Sequence, residues 1–399
     1  MSTLEPAEVR AARFAPPRAN RPRRVVVALS GGVDSSVAAW LLVQAGHEVI
    51  GASLRLTPDG VGAPAEGRCC SVDDLRDARR VADALGVPFH AIDARARFFD
   101  AVMRPFAEAY RQGLTPIPCL ACNHEIKLGD LLGTARSLGA ALATGHYARK
   151  VVRDGRAALA RPFDRARDQT YWLYGTPAGD LDELELPLGE LDKPLVRALA
   201  RKAGLPVADK PDSQEICFVH DGDHAAAVER IGGKGASGEV VDATGASLRP
   251  HDGVHRFTVG QRRGVGVSSA IAGERRYVVD VDGGSGRVVL GDAEGLRVRR
   301  VRAAPLRLAQ PLAAWPEVVQ LQVRARHAAQ PARWRVIDDG LELVAEQPIR
   351  GVALGQAAVC WHDDVLLGGG LLVERDGPWA RAQTLDLALE PPLDPARGR

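Results

Sequence analysis

The sequence has few cysteines, no long apolar run and almost no net charge, and each of these features limits what the protein can be. Six cysteines among 399 residues are too few for a disulfide scaffold, so most should remain thiols in a reducing compartment. No stretch approaches the roughly 18 apolar residues of a membrane helix, and the start of the chain lacks the apolar centre of a secretory signal. A net charge of +2 identifies no partner by itself. We therefore expect a cytoplasmic protein without membrane association.

Length and pattern together predict several domains. The chain exceeds the usual size of a single hydrophobic core. Between residues 25 and 93, short apolar runs alternate with helix-length amphipathic segments, a pattern typical of a parallel sheet wrapped by helices. Beyond about residue 218, turn signals at residues 282–284, 339–340 and 368–370 separate short β-branched runs. We predict an α/β fold with a parallel-sheet nucleotide-binding domain, followed by a small β-rich middle domain and a C-terminal β-barrel.

The predicted domain boundaries follow these changes of pattern. They are a disordered N-terminal tail at 1–23, a catalytic domain at 24–218, a small central domain at 219–296, a barrel at 297–376 and a second tail at 377–399. Within the barrel, residues 297–335 contain nine arginines and a single acid, Glu317. This excess of positive charge is consistent either with a phosphate-facing surface or with an ordinary solvated basic face.

A glycine-rich loop, Ser30-Gly31-Gly32-Val33-Asp34-Ser35-Ser36, lies between an apolar strand and a helix predicted to begin near Val37. The glycines let the backbone turn its amides inward, the hydroxyls add donors, and the helix N-terminus adds positive potential. A triphosphate fits such a cradle, and Asp34 would then hold a magnesium ion that bridges phosphate oxygens. The loop does not match the Gly-x-x-x-x-Gly-Lys pattern of ordinary phosphate-binding NTPases. It resembles the pyrophosphatase-type loop of enzymes that split ATP into AMP and pyrophosphate.

Two cysteine-bearing segments suggest thiol chemistry. Cys119 and Cys122 precede an amphipathic helix, so Cys122 is expected near a helix N-terminus, where the dipole favours the thiolate. Cys217 follows in a distant polar segment and could act as a carrier or partner thiol. From the residues alone, the Cys-x-x-Cys pair could equally be redox-active or bind metal, and Cys217 could be structural.

Other candidate residues are interpreted more simply. Vicinal cysteines rarely form a strain-free bridge, so Cys69 and Cys70 are expected to serve packing or loop structure. Cys360 lies in an apolar strand and is predicted to be a core residue. His146 is either a nucleotide contact or a hydrogen-bonded structural histidine.

The loop and the cysteines, together with several dispersed strings, resemble those of the tRNA-specific 2-thiouridylase family between about residues 24 and 373. The further matching strings are Cys69-Cys70-Ser71, ATGHYAR at 143–149, DQTYWL at 168–173, FTVGQRRG at 257–264 and GVALGQ at 351–356. The resemblance implies a tRNA-uridine 2-sulfurtransferase, which uses ATP to replace the C2 oxygen of the wobble uridine of tRNA with sulfur.

Carried over by position, the resemblance makes Cys122 the nucleophile and Cys217 the persulfide carrier. The residues that it places around ATP are Leu29, Ser30, Gly31, Gly32, Val33, Asp34, Ser35, Ser36, Leu54 and Gly145, with Asp34 also holding Mg²⁺. Those that it implies contact tRNA are Arg167, Asp168, Gln169, Arg324 and Ala325. Two positions depart from the family pattern. Cys119 stands where some members have aspartate and inherits no acid-base role, and Ala325 stands where a tyrosine can follow the arginine, so stacking is lost there.

The implied reaction begins with adenylation of uridine O2, which turns a poor leaving oxygen into a good one. A persulfide sulfur-donor protein, either a cysteine desulfurase or a sulfur-relay protein, loads Cys217. Cys122 then either attacks the persulfide to liberate sulfide or resolves the Cys217 disulfide after transfer. One alternative keeps the reaction but uses a [4Fe-4S] cluster on Cys119, Cys122 and Cys217. A different ligase of the same loop type and a tRNA-binding protein without catalytic activity are the remaining alternatives.

Overall fold

The computed structural model describes residues 5–57, 72–212, 216–219, 221–267 and 276–382, which fall into two compact units. Residues 1–99 and 122–220 belong to the first unit, and residues 100–121 and 221–399 belong to the second. The sequence predicted divisions near residues 218 and 296 and did not predict that residues 100–121 group with the C-terminal part. They do so because Ala109 and Leu114 are buried among the core residues of the C-terminal barrel.

The first unit is built on a parallel sheet. Its strands are β1 (Arg24–Ala28), β2 (Glu48–Arg55), β3 (Phe89–Asp93), β4 (Ala141–Ala143), the antiparallel hairpin of β5 (Arg149–Arg153) and β6 (Arg156–Ala160), and β7 (Leu184–Glu185). The sheet order is β3-β2-β1-β4-β7, and every pairing in it is parallel. Val25, Val26 and Val27 in the central strand are all buried, as expected for a sheet covered on both faces. The predicted parallel-sheet domain is confirmed, and its parallel order brings the carboxyl ends of β1 and β4 to one edge.

Helices lie in both units. In chain order the α-helices of the described residues are α1 (Ala7–Arg13), α2 (Val33–Gln44), α3 (Val72–Leu85), α4 (Arg95–Phe98), α5 (Arg104–Arg111), α6 (Pro118–Ala121), α7 (Leu132–Ser137), α8 (Ala178–Leu181), α9 (Lys193–Lys202) and α10 (His224–Gly232). Two π-helical segments, Phe99–Met103 and Cys122–Leu131, follow α4 and α6. Short 3-10 turns cover Arg165–Arg167, Thr170–Leu173, Val254–Arg256, Glu294–Leu296 and Leu312–Ala314. In the part of the chain that the structure describes, no helix is long and apolar enough to cross a membrane.

The N-terminal segment contains a helix where the sequence predicted a disordered tail. Helix α1 is held on α9 by Ala11, which is buried in a cluster with Leu195 and Leu199. In addition, Arg10 donates two hydrogen bonds to the carboxylate of Asp192, at 2.5 and 2.7 Å. The prediction failed because a seven-residue helix has little periodicity of its own and depends on tertiary packing.

The second unit contains a small sheet and a barrel. Its strands are β8 (Gly238–Asp242), β9 (Ser247–His251), β10 (Tyr277–Asp282), β11 (Arg287–Gly291), β12 (Arg297–Leu308), β13 (Val318–Gln322), β14 (Gln330–Ile337), β15 (Gly340–Arg350), β16 (Ala357–His362), β17 (Val365–Arg375) and β18 (Arg381–Ala382). The small sheet has the order β10-β11-β8-β9. The barrel runs β12-β15-β14-β13-β16-β17 and closes where β12 pairs antiparallel with β17. The predicted β-rich middle domain and C-terminal β-barrel are confirmed.

Two details of the second unit differ from the prediction. The glycines at residues 368–370 lie inside β17 and are not a turn. Because these glycines have no side chains, the backbone of β17 can lie close to the backbones of its neighbouring strands. A Cβ on Gly369 would overlap the carbonyl of Ala358, and a Cβ on Gly370 would lie 2.9 Å from the carbonyl carbon of Ala303. The expected C-terminal tail begins later than residue 377, since β18 pairs with β17, and residues 383–399 lie outside the described residues.

Candidate functional site

The glycine-rich loop connects the carboxyl end of β1 to the first turn of α2. The helix begins at Val33, four residues earlier than predicted, with Gly32 at its N-cap. The hydroxyl of Ser35 donates to the Gly32 carbonyl at 3.1 Å, and the hydroxyl of Ser36 donates to the same oxygen at 2.8 Å. Both serine side chains are buried. These hydroxyls therefore shape the loop, and the backbone amides of the first turn of α2 remain as the expected anion donors.

Gly31 adopts a conformation that other residues rarely take, with a φ of +71°. A Cβ at this position would overlap the carbonyl oxygen of Asp74 in α3. The ammonium of Lys210 donates to the Gly31 carbonyl at 3.1 Å and also to Asp74 and Asp77, at 2.7 and 2.6 Å. Burial lowers the pKa of Lys210, but its hydrogen bonds to the two carboxylates outweigh burial, so the pKa is raised overall. Lys210 therefore stays charged and holds the loop against α3.

The segment after β4 approaches the same loop. A Cβ on Gly145 would lie 2.7 Å from the backbone nitrogen of Ser35, so only glycine allows this proximity. His146 is next in sequence, and its Nδ1 lies 2.7 Å from the hydroxyl of Thr144. Burial, with a contribution from Lys127, lowers the pKa of His146 to about 3. The neutral, hydrogen-bonded ring matches the structural interpretation of this histidine.

Asp34 receives two hydrogen bonds on a single oxygen. The ammonium of Lys193 lies 2.7 Å from Asp34 Oδ1, and the hydroxyl of Tyr147 donates to the same atom at 3.0 Å. Lys193 also contacts Asp212 Oδ1 at 2.8 Å. Asp212 in turn contacts Arg197 at 2.6 Å and Arg167 at 3.0 Å. A continuous chain of ion pairs therefore runs from the glycine-rich loop to the segment that precedes Cys217.

Sequence reasoning identified Asp34 but missed Lys193, Tyr147, Lys210 and Asp212. Their positions carried partial signals, because Tyr147 lies in the matched ATGHYAR string and Asp212 is five residues before Cys217. Lys193 follows Asp192, which accepts a hydrogen bond from the backbone of Leu195 as a helix N-cap. That pattern predicts a helix start, but it does not show that the lysine side chain turns toward a residue 159 positions away.

The donor atoms of this site fit a magnesium ion that also binds phosphate. The Asp34 side chain is about one-third exposed, and within the described ranges its Oδ2 accepts no hydrogen bond. Those ranges contain no group of three or more His, Cys, Asp or Glu side chains arranged to hold a metal. Mg²⁺ characteristically binds through one or two carboxylates, with phosphate and water oxygens completing its coordination. A single carboxylate such as that of Asp34 would match this mode of binding.

Cys122 begins the π-helical segment Cys122–Leu131, and its side chain is half-buried. The preceding helix starts at Pro118, so Cys122 lies in the second turn and not in the first. The helix is fixed beside the cysteine, because the side-chain amide of Asn123 donates to the Trp172 carbonyl at 3.1 Å. His124 Nε2 lies 2.6 Å from the carbonyl of Tyr174. These two hydrogen bonds hold the helical residues next to Cys122 against residues 172–174.

The other cysteines have different surroundings. Cys217 is half-buried in the first unit, next to Phe218, whose ring packs edge-to-face on Phe98 with centroids 5.9 Å apart. Cys119 is exposed and belongs to the second unit. Cys360 is fully buried in β16, and burial raises its pKa, so the predicted core role is confirmed. Cys69 and Cys70 lie outside the described residues.

Arg167, Asp168 and Gln169 are expected to contact tRNA, but their side chains differ in whether they are already bound within the protein. The side chain of Asp168 accepts hydrogen bonds from the backbone and hydroxyl of Thr170, at 2.9 and 2.6 Å. Gln169 Oε1 accepts a hydrogen bond from the backbone of Tyr147 at 2.8 Å. The Arg167 side chain is 43% exposed. Asp168 and Gln169 therefore order the loop, while Arg167 can also reach a ligand.

The arginine-rich part of the barrel is less basic than its sequence implies. Three of its arginines form ion pairs with nearby acids. Arg302 pairs with Asp338 and Asp339. Arg333 pairs with Glu317, and Arg335 pairs with Glu342. Arg324 and Ala325 lie in the turn after β13, where the Gln322 amide donates to both of their carbonyls, at 2.8 and 2.9 Å. Exposed arginines remain at Arg299, Arg300 and Arg326, and Arg324 is half-buried, so part of this surface keeps its positive charge.

Three protein-family models match consecutive parts of the chain. The tRNA methyl transferase HUP domain matches residues 23–221, the tRNA methyl transferase PRC-barrel domain matches residues 227–292, and the aminomethyltransferase beta-barrel domain matches residues 299–372. These ranges cover most of the described sequence in both units.

Curated relatives extend the likeness over nearly the whole chain. The tRNA-specific 2-thiouridylase MnmA of Rhodospirillum centenum is 44% identical over 373 residues, which is 92% of this chain and 95% of the relative. The protein of the same name from Methylobacterium sp. is 46% identical over 368 residues, covering 89% of this chain and 96% of the relative. Among solved structures, the U34-tRNA thiolase NcsA from Methanococcus maripaludis with its [4Fe-4S] cluster is 17% identical, with a TM-score of 0.33, 56% of this chain covered and 72% of that chain.

Proposed function

Because the chain belongs to the tRNA-specific 2-thiouridylase family, we propose that it catalyses the ATP-dependent 2-thiolation of the wobble uridine of tRNA. The observation that carries the proposal is the glycine-rich loop at the carboxyl edge of the parallel sheet, in the same unit as Cys122 and Cys217. A phosphate-binding loop explains ATP use, and two half-buried thiols explain sulfur transfer. A tRNA-binding protein without catalysis would need neither.

ATP would bind along the edge formed by β1, β2 and β4. The phosphates would meet the amides of Gly32, Val33 and Asp34, and the nucleoside would extend toward Leu54 and Gly145, with Leu29, Ser30, Gly31, Ser35 and Ser36 shaping the cradle. Asp34 would hold Mg²⁺, which offsets the negative charge of the phosphates and of the pyrophosphate that leaves. Lys210 supports this arrangement by holding the loop closed against α3.

The first chemical step activates the base. Uridine O2 attacks the α-phosphorus, an O–P bond forms, and the bond to pyrophosphate breaks. Removing the uridine from its stack costs a few kcal/mol, and less in a single-stranded loop than in a duplex, which suits an anticodon. Arg167 and Arg324 would bind phosphates of the tRNA, and Asp168 and Gln169 would position the loop that carries Arg167.

The second step transfers sulfur. A donor protein, a cysteine desulfurase or a sulfur-relay protein, converts Cys217 to a persulfide. The terminal sulfur attacks C2, and AMP leaves with the original oxygen. The Cys122 thiolate then attacks Cys217 Sγ, which breaks the S–S bond to the uridine, releases the thiolated base and forms a Cys122–Cys217 disulfide. An external thiol reductant restores both cysteines. In the alternative order, Cys122 attacks the persulfide first and liberates sulfide, and the sulfide attacks C2.

The direct test is nucleoside mass spectrometry of tRNA incubated with the protein, ATP, Mg²⁺ and a persulfide donor. We expect 2-thiouridine to form and pyrophosphate release to depend on tRNA. Pyrophosphate release without tRNA would instead indicate a ligase that acts on a small molecule. Binding of tRNA with neither product would indicate a non-catalytic role.

A further inference from the structure

Lys193 is a buried cation shared by two carboxylates that belong to different functional segments. Its side chain is 7% exposed, and its ammonium lies 2.7 Å from Asp34 and 2.8 Å from Asp212. A buried charge is unfavourable unless it is paired, so Lys193 must keep at least one of these partners. Asp34 belongs to the nucleotide loop, and Asp212 precedes Cys217 by five residues. If one carboxylate is neutralised or binds another cation, Lys193 therefore interacts more strongly with the other carboxylate.

Described residues on the two sides of Cys217 make contacts of different character. On the C-terminal side, Phe218 is buried and packs against Phe98, a contact that nucleotide charge does not affect. On the N-terminal side, Asp212 pairs with three cations of the described residues, namely Arg167, Arg197 and Lys193. Arg167 and Arg197 pair with Asp212 but not with Asp34, so Lys193 alone connects this attachment to the nucleotide loop among the described residues.

Resting on the function proposed above, we propose that Lys193 is a positioning residue that couples nucleotide binding to the placement of Cys217. A cation bound to Asp34 repels a second cation on the same carboxylate. When Asp34 exchanges Lys193 for the magnesium ion that accompanies ATP, the ammonium concentrates on Asp212. The Cys217 segment is then held more tightly, so the persulfide is brought into place only after the nucleotide has bound. Lys193 itself touches no reacting atom.

The test measures how fast the Cys217 thiol of the full-length protein reacts with iodoacetamide, followed by mass spectrometry of the peptide that contains it. The reaction is run with and without Mg²⁺ and an ATP analogue whose α–β bridge is a methylene group, in the absence of tRNA and sulfur donor. For the wild type we expect the nucleotide to slow alkylation by at least about fivefold, the lower end of typical coupling between sites. For Lys193→Gln, we expect the rate to be independent of nucleotide although the analogue still binds. Lys193→Arg should retain part of the effect.

Lys150→Gln is a matched control, because Lys150 is a half-buried lysine paired with Glu185 in the same unit, and it should respond as the wild type does. A wild-type rate unaffected by nucleotide would overturn the proposal, as would normal slowing in Lys193→Gln. Loss of analogue binding in Lys193→Gln would also overturn it, because Lys193 would then be a nucleotide ligand. If that variant does not fold, Asp212→Asn tests the same link, and slowing as in the wild type would be the contrary result. Alkylation and nucleoside analysis are separate readouts, so failure of the coupling is distinguishable from failure of the proposed function.

Discussion

The backbone carbonyl of Asp74 occupies the space that a side chain on Gly31 would need, and Gly31 has a positive φ as well. The contact joins the nucleotide loop to α3, and Lys210 strengthens it by bonding to both residues. The shape of the loop therefore depends on tertiary contacts and not only on its own sequence.

Gly31→Ala should destabilise the protein by about 1–3 kcal/mol and prevent ATP binding, because the loop must move away from Asp74 to accept a methyl group. Urea unfolding and calorimetric titration with ATP measure the two effects. Gly133→Ala is the control, since that glycine lies in α7 and a Cβ there would meet nothing within 4 Å. Retained ATP affinity in Gly31→Ala would contradict the placement of phosphate at this loop.

Asp34→Asn should reduce tRNA-dependent pyrophosphate release by at least about 100-fold, because the amide cannot replace the charge that holds Mg²⁺. Its affinity for tRNA should be nearly unchanged. Asp83→Asn alters an exposed carboxylate on α3 and should have no effect. Normal thiolation by Asp34→Asn would rule out its assignment to the nucleotide site.

The three candidate thiols distinguish a persulfide relay from cluster chemistry. In the relay, Cys122→Ser and Cys217→Ser each stop thiolation, whereas Cys119→Ser retains much of it because its sulfur takes part in no step. With a [4Fe-4S] cluster, all three variants lose both activity and iron. We expect the first pattern when the variants are purified without oxygen and assayed for 2-thiouridine and iron. Iron in the wild type that disappears together with activity in Cys119→Ser would favour the cluster.

Replacing Arg324 and Arg326 with alanine should weaken tRNA binding and flatten its salt dependence. The slope of log K against log salt should fall by about 0.7–0.9 for each tRNA phosphate that the variant no longer neutralises. Arg333 and Arg335 provide the control pair, because both are ion-paired with barrel carboxylates, and their replacement should change the slope little. Equal effects from the two pairs would show that the basic surface acts only through its overall charge.

His146 should make the protein less stable in acid. Its pKa is about 3 in the folded state and near 6.5 when unfolded, so the unfolded chain binds more protons between these values. Stability is therefore lost as pH falls below about 6.5, by up to about 1.4 kcal/mol per pH unit for this one group. Urea unfolding of His146→Asn between pH 7 and pH 4 should show a shallower loss than the wild type. Identical slopes would mean that the ring is accessible to protons in the folded state.

Local sequence predicted much of the fold, and the reasons are physical. The buried valines of β1, and Val318 and Val319 in β13, have β-branched side chains that favour strands wherever they are packed. The glycine-rich loop was recognisable because its function depends on consecutive backbone groups. Helix α1 and the membership of residues 100–121 in the second unit were not recognisable, because each depends on contacts with distant residues.

The candidate site also combines features that local sequence predicted with features that depend on contacts between distant residues. The sequence by itself determined the loop from Ser30 to Ser36, the spacing of Cys119 and Cys122, and the family resemblance that assigns roles to Cys122 and Cys217. Only the tertiary structure decided that Lys193 pairs with Asp34 and that Lys210 bonds to Gly31, across separations of 159 and 179 residues. A lysine has the same local preferences on a solvated surface and in a buried ion pair. Which of these applies is decided by the carboxylates that the parallel sheet and α9 bring within hydrogen-bond distance.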